Sequence, residues 1–442
     1  MQRCSCILAN RTTTSRIPIR TTTVKLIQVV AAALCWIVIV SMSDTYSATS
    51  AKVAALSSTT LTTAKVGRSQ QQERWLVVDF DGTCTIRDTT PLLPRLAYLI
   101  ESQNNDNNDD EHEHEQHVER KDPDLMERLS IFTNLENEYF QRYVEVMGSI
   151  ESESTVEDVG NNNNNNHLHS QLEYSLDRLD CISSEITEKV TKSNILKGLG
   201  SVRYNKLLEL IQNYQHKQEE EEQQQQHDEV PIFEGNLRDS LQLHPGCISI
   251  LQRHATCMSS NNNWRIGVLS INWCPTLIEA VVLNPLCNER SSSESKESTT
   301  TTSLNFEDIP IWSNTVDENG TVSLTVPGAI AKKERILKLQ QQQQQQQQQN
   351  SNNNLVVYVG DSSTDLLALI QADVGILLMG SKSTIGLGIK FGVTFRSLND
   401  YNNYYNNNDK KTENENCLDV VWTASDWDEI GSFLNHNDEQ LH

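Results

Sequence analysis

A chain of 442 residues can hold two or three domains, and its net charge of −23 argues against nucleic acid and anionic membrane surfaces as partners. Hydrophobic residues make up 37% and mean hydropathy is −0.50, because polar tracts dilute the folding sequence. The ten cysteines are scattered with no CxxC pair and read as reduced or incidental.

Residues 1–72 do not read as part of the fold. Arg3, Arg11, Arg16, Arg20 and Lys25 precede the apolar run Val29 to Val40, and small residues follow at 48–51. That order is a signal peptide's, and the run is too short for a confident membrane span. A membrane contact is expected only if this segment is an uncleaved anchor. Residues 48–68 are rich in Ser, Thr and Ala and free of acids, as in an organellar transit peptide. Entry into the secretory pathway is expected. The final address, a complex plastid or the secretory and endomembrane space, stays open.

The stretch WLVVDFDGTCT, residues 75–85, is the centre of the chain. Trp75 to Val78 form the apolar run of a buried parallel strand, which stops at Asp79; Asp81 and Gly82 follow. Two carboxylates held just beyond a strand end repel unless a cation lies between them or they share a proton. Mg2+ suits such a pair, being hard and oxygen-liganded. One carboxylate can then attack phosphorus while the other handles protons. Taken alone, Asp-x-Asp-Gly is also a common surface turn.

Beyond residue 100 the sequence departs from a core. Residues 101–119 are Asn, Asp, Glu and His in low-complexity order and read as disordered, with His112, His114 and His117 offering adventitious metal binding at most. Leu125, Leu129, Phe132, Tyr139, Phe140, Tyr143, Val144 and Met147 recur at helical spacing. Further helical stretches at 172–190 and 202–214 flank NILKGLG, residues 194–200. Together residues 120–217 read as a helical insertion, and the acidic, Gln-rich tract 218–229 closes it.

The core, 73–100 and 230–436, resumes with a helix after His244-Pro245 and the strand 264–269, ending at Ser270 with Asn272 beside it. A hydroxyl there can hydrogen-bond a phosphate held against Asp79, although Ser after a strand is common and Asn272 serves a turn equally well. A helix follows at 275–282, and 291–303 reads as a disordered Ser/Thr tract. Segments 309–312 and 321–326 flank DENG, residues 317–320, as a hairpin. Lys332 and Lys333 open a helix. The Gln/Asn tract 340–354 reads as a disordered insertion. The strand 355–359 leads into Gly360-Asp361-Ser362-Ser363-Thr364-Asp365, where Asp361 offers a further carboxylate and Asp365 can orient it or hold a lysine. Strands at 374–378 and 420–422 and a helix at 423–434 close the chain.

DxDGT after a strand, Ser after the next, Lys at a helix start and GDSSTD, in that order, resemble the four motifs of the haloacid dehalogenase (HAD) superfamily. The resemblance implies an α/β fold, a Rossmann-like parallel sheet with an inserted helical (C1-type) cap, and a Mg2+-dependent phosphatase acting on a small phosphorylated metabolite. By the same match Asp79 is the nucleophile and Asp81 the acid and base. Gly82, Thr83, Ser270, Asn272 and Lys333 bind phosphate, and Asp79, Asp81 (through its carbonyl), Asp361 and Asp365 form the metal site. Lys333 is favoured over Lys332 because its spacing to Ile336 and Leu337 fits the family's Lys-x-x-apolar-Leu pattern.

ILKGLGSVRYNKLLELI, GDSSTDLLALIQADVGILL and TASDWDEIGSFL further resemble the HAD domain of plant thiamine monophosphate phosphatases, where it is fused to a TenA domain that has no counterpart in this sequence. Thiamine monophosphate is then an expected substrate, with Leu196 and Leu199 either contacting its ring or simply packing a hinge. A phosphotransferase or dehalogenase on the same scaffold, or a non-catalytic binding protein, are the alternatives. Asp81 counts against a dehalogenase, and the intact motifs count against loss of catalysis. Oligomeric state is open.

Overall fold

The computed structural model describes residues 74–106, 122–153, 164–212, 241–255, 264–288, 308–346, 355–407 and 419–439. The expected targeting segment 1–72 and the tracts 218–229 and 291–303 lie outside the described residues.

Nine strands are present among the described residues: β1 Arg74–Val78, β2 Trp264–Leu269, β3 Ile311–Trp312, β4 Thr315–Val316, β5 Val322–Ser323, β6 Leu355–Gly360, β7 Val374–Leu378, β8 Thr394–Ser397 and β9 Val420–Ala424. Seven form one sheet in the order β3-β2-β1-β6-β7-β9-β8, every pairing parallel. Strands β1 and β7 are buried at every position, as the sequence of a strand covered on both faces requires. Leu76, Val77 and Val78 have no exposed surface, each contributing about 1.5–3 kcal/mol of apolar burial. From β1 the chain moves to β2 and β3 on one side, then returns to β6 on the other. The carboxyl end of β1 is therefore the switch point where an open α/β sheet leaves a crevice.

Helices Leu93–Asp106, Pro123–Ser152, Asn164–Ser193 and 204–212 lie between β1 and β2 in sequence. Asp122 starts the second of these, its carboxylate accepting from the amides of Asp124 and Leu125 ahead of Pro123. Its inward face carries Leu125, Phe132, Met147 and Ile150, whereas Phe140 and Val144 are exposed. Residues 74–106 and 122–439, as described, belong to one compact unit. None of the described helices is long and apolar enough to cross a membrane.

Several local expectations are corrected. The hairpin around DENG is made by β4 and β5, while Ile311–Trp312 joins the main sheet as an edge strand. The Lys332 helix runs from Ala329 to Gln346, so the first half of the Gln tract is helical, not disordered. Gln is a good helix former, and the Gln340 amide donates to the carbonyl of Gln371 at 3.0 Å and to Asp373 at 3.1 Å. Residues 101–106 likewise continue a helix. Strand β9 extends to Ala424 and its helix begins at Trp427.

Candidate active site

The four motifs converge at the carboxyl ends of β1, β2 and β6. Asp79 continues β1, its amide bonded to the Val359 carbonyl of β6 at 2.9 Å. Oxygens of Asp79, Asp361 and Asp365 lie within 4.8 Å of one another. Gly82 turns the loop with φ of +74°, and a Cβ there would lie 2.3 Å from Asp361 Oδ2, so only glycine lets the two loops approach. The Thr83 hydroxyl donates to Asp361 Oδ1 at 3.1 Å. Two residues brace this loop from outside it: Trp427 Nε1 donates to the Thr83 carbonyl at 3.0 Å, and His244 Nε2 lies 3.2 Å from the Gly82 carbonyl.

Lys332, not Lys333, is the lysine of the site. Its Nζ lies 2.7 Å from Asp365 Oδ1 and 3.1 Å from Asp79 Oδ1, and the side chain is fully buried. Lys333 points away and pairs with Glu173 of the Asn164–Ser193 helix. The helix register gives the reason. Ala329, Lys332, Ile336, Leu339 and Gln343 share the buried stripe, and Leu337, which favoured Lys333, is exposed.

Asp365 holds the lysine and leaves the expected ligand set. Its Oδ1 accepts from Lys332 and from the Tyr358 hydroxyl at 2.6 Å; its Oδ2 accepts from Ser362 Oγ at 2.8 Å and from the amides of Asp361 and Ser362. Five donors exhaust a carboxylate's lone pairs. Although burial raises it, Lys332 and these donors hold the Asp365 carboxyl below its usual range. Asp79 goes the other way. Burial pushes it well up against the pull of Lys332, and Asp365, Asp361 and Asp81 push further. Asp79 Oδ1 is buried with no aligned hydrogen-bond donor. Asp79, Asp361 and Asp365 share the ammonium of Lys332, and a carboxylate cluster so short of positive charge fits a hard cation. Asp361 itself is pushed up to about 7, chiefly by burial and then by Asp365.

The Asp81 carboxylate turns from this cluster. Oδ1 accepts from the Thr89 amide at 2.8 Å and hydroxyl at 2.7 Å, and Oδ2 from Asn272 Nδ2 at 2.9 Å. Burial first, and Asp88 second, push it up to about 7, against these bonds, which suits a proton donor at neutral pH. Asn272 is corrected from a phosphate ligand to the holder of Asp81. Its Nδ2 also donates to Thr89 Oγ1 at 3.0 Å and its Oδ1 accepts from the Cys274 amide at 2.8 Å, leaving no donor over. The hydroxyl of Thr83 is likewise committed, to Asp361, and Gly82 shapes the turn. Ser270 is buried, and its Oγ accepts from the Asn272 amide at 3.1 Å, so its own hydrogen remains to donate.

Leu196 and Leu199, expected either to touch a substrate ring or to pack a hinge, are buried and do the second. Gly198 has φ of +91° and its amide bonds the Glu318 carbonyl of the DENG turn; a Cβ at Gly200 would lie 2.2 Å from the Val316 carbonyl. Sequence reasoning missed Thr89, which carries no local signal, and Tyr358, whose hydroxyl in an otherwise aliphatic buried strand was one.

No family model matches the chain. It is 24% identical over 369 residues to the Bifunctional TH2 protein, mitochondrial, of Arabidopsis thaliana, an alignment covering 80% of this chain and 48% of that protein. The chain thus spans about half the length of the curated relative it matches. Among solved structures, a phospho-aspartyl intermediate analogue of phosphoserine phosphatase aligns at TM-score 0.31 and 12% identity, covering 82% of this chain and 99% of that one. A HAD family hydrolase from Salmonella enterica serovar Typhi aligns at TM-score 0.26 and 10% identity, covering 72% of this chain and 66% of that one. Scores this low do not measure a shared fold, so the chemistry rests on the site's own geometry.

Proposed function

We propose that this chain, a haloacid dehalogenase (HAD) superfamily phosphatase by its parallel sheet and its four motifs, three at strand ends and one at a helix start, hydrolyses a small phosphomonoester with Mg2+ through an aspartyl-phosphate on Asp79. The observation that carries the reading is the buried Asp79 carboxylate at the end of β1, held 3.1 Å from Lys332 Nζ and grouped with Asp361. Asp79 attacks phosphorus, and the bond from phosphorus to the leaving oxygen breaks as Asp81 delivers its proton to that oxygen. Asp81, now charged, takes a proton from the water that opens the aspartyl-phosphate, which returns Asp79 to its carboxylate and Asp81 to its protonated acid. Ser270 Oγ and Lys332 Nζ donate to the phosphoryl oxygens, and Asp365 fixes the lysine. Asp79 and Asp361, with the main-chain carbonyl of Asp81, would hold Mg2+. Bound there, the ion offsets the charge of the phosphoryl group.

Thiamine monophosphate is the substrate we favour, on the resemblance of 195–211, 360–378 and 423–434 to plant thiamine monophosphate phosphatase domains. The inserted helices serve as the cap, and residues 1–72 as an organellar address, in keeping with the mitochondrial relative. Purified residues 70–442 should release phosphate from a phosphomonoester panel with Mg2+ and lose that activity with chelator or in Asp79→Asn. Activity retained by the variant would sink the mechanism; a higher kcat/KM on other esters would sink only the substrate.

A further inference from the structure

The inserted helix Pro123–Ser152 carries a stripe that changes character as it passes the site. Phe132, Glu136, Tyr139, Tyr143 and Met147 follow one another at helical spacing. Phe132 and Met147 are buried apolar ends; the middle three are a carboxylate and two phenols, all half-buried. Tyr143 places its hydroxyl 3.3 Å from Ser363 Oγ, in the loop that carries Asp361. At the other side of the crevice, the consecutive amides of Thr89 and Thr90 donate at 2.8 Å to Asp81 Oδ1 and Asp88 Oδ1. Both carboxylates therefore sit at one turn. After burial, Asp88 is the next cause that raises both the Asp81 and the Glu136 carboxyls, so this turn and the stripe lie within Coulombic reach of each other.

The charge there is one-sided. Burial, then Asp88, raises the Glu136 carboxyl. Glu101, on the neighbouring helix, is by contrast held low despite burial by Lys197 and Arg128. Among the described residues no basic side chain forms an ion pair with Glu136 or Asp88. Tyr139 and Tyr143, ring centroids 5.9 Å apart, add π faces of the kind that attract cations. A half-buried carboxylate without a cation is costly unless a ligand supplies one.

We propose that Glu136 and Asp88, with Tyr139 and Tyr143, set the charge preference of this site, favouring esters whose leaving group is cationic over those whose leaving group is anionic. The inference rests on the phosphatase reading and narrows its substrate class. Three esters of nearly equal size test it: phosphoethanolamine, 2-hydroxyethyl phosphate and phosphoglycolate. Wild type should rank them in that order by kcat/KM. Glu136→Gln should keep turnover of the neutral ester within about twofold and shrink the cationic-to-anionic ratio about tenfold, as one charge at short range in a partly screened site implies. Glu136→Lys should push the ratio further in the same direction, and raising salt should weaken the wild-type preference. The neutral ester reports on folding in each variant. Unchanged ratios in both variants, or a wild type that prefers phosphoglycolate, would overturn the inference while leaving the phosphatase reading intact. No turnover of any phosphomonoester by wild type would sink that reading, and this inference with it.

Discussion

Replacing Lys332 and Lys333 one at a time by Met separates the two neighbours more sharply than any other pair of changes. Lys332 has no exposed side-chain surface, and its partners Asp79 and Asp365 are 5% and 0% exposed. Removing one member of a buried ion pair costs about 3–5 kcal/mol, since the other charge is left without compensation. The lower end applies here, because Asp365 keeps Tyr358, Ser362 and two amides. The same change removes a cationic donor to the transferring phosphoryl group, worth about a hundredfold or more in kcat. Lys333 and Glu173 are 28% and 38% exposed, a surface pair worth about 0–1 kcal/mol. Urea melts and phosphate release on both variants should therefore show Lys332→Met destabilised by about 3 kcal/mol and nearly inactive. Lys333→Met should lie within about 1 kcal/mol and about twofold of wild type. An inactive Lys333→Met beside an active Lys332→Met would refute the register on which the site is built.

Burial is the main cause that pushes Asp81 and Asp361 each to about 7, so without metal the folded chain holds protons the unfolded chain has lost. Their contribution to stability is complete below the unfolded value near pH 4 and is lost as pH rises through about 7. Because Mg2+ takes the charged forms of Asp79 and Asp361, both of which burial pushes up, it should raise the melting temperature more at pH 8 than at pH 5; equal shifts would contradict this. Gln340→Ala should cost about 1 kcal/mol by urea titration, whereas deleting residues 347–353 should cost nothing measurable; equal costs would deny the helical half of the tract its role. Asn272→Ala frees one side of Asp81 and should lower kcat about tenfold with little change in KM. A rise in KM alone would return Asn272 to phosphate binding.

The sheet was legible because β1, β6 and β7 lie in short apolar runs rich in Val, Ile and Leu, and runs of that length and composition read as buried strands. Asp79, Asp361 and Ser270 were legible for the same reason, since each stands at the end of one of these strands or of β2. The lysine was not. Neighbouring positions on a helix point about 100° apart, and Leu337 looked like the buried member of the pattern when Leu339 was. Asn272 and Thr89 escaped because their role is a contact across 183 residues, which no local pattern encodes. The Gln tract misled through composition. Low complexity predicts the lack of a core, yet a helix already nucleated at Ala329 extends through glutamines at little cost, and two of them find partners or burial.

The inserted helices are fixed most firmly to the element that carries Lys332. Asp180, from the Asn164–Ser193 helix, accepts from the amides of Ala329 and Ile330 at 3.2 and 3.4 Å, doing for that helix start what an N-cap residue does within one chain segment. The fit excludes a side chain at Gly328, whose Cβ would lie 1.9 Å from Asp180 Oδ1. Lys333 pairs with Glu173 beside it, Thr191 Oγ1 accepts from the Val322 amide, and Gly198 bonds Glu318. On the opposite flank Lys390 caps the last carbonyls of the Pro123–Ser152 helix. Over the crevice itself the bonding among the described residues is lighter, one pair of hydroxyls between Tyr143 and Ser363. Anchors at the flanks with one neutral hydrogen bond in the middle make the insertion a fixed wall on the lysine side.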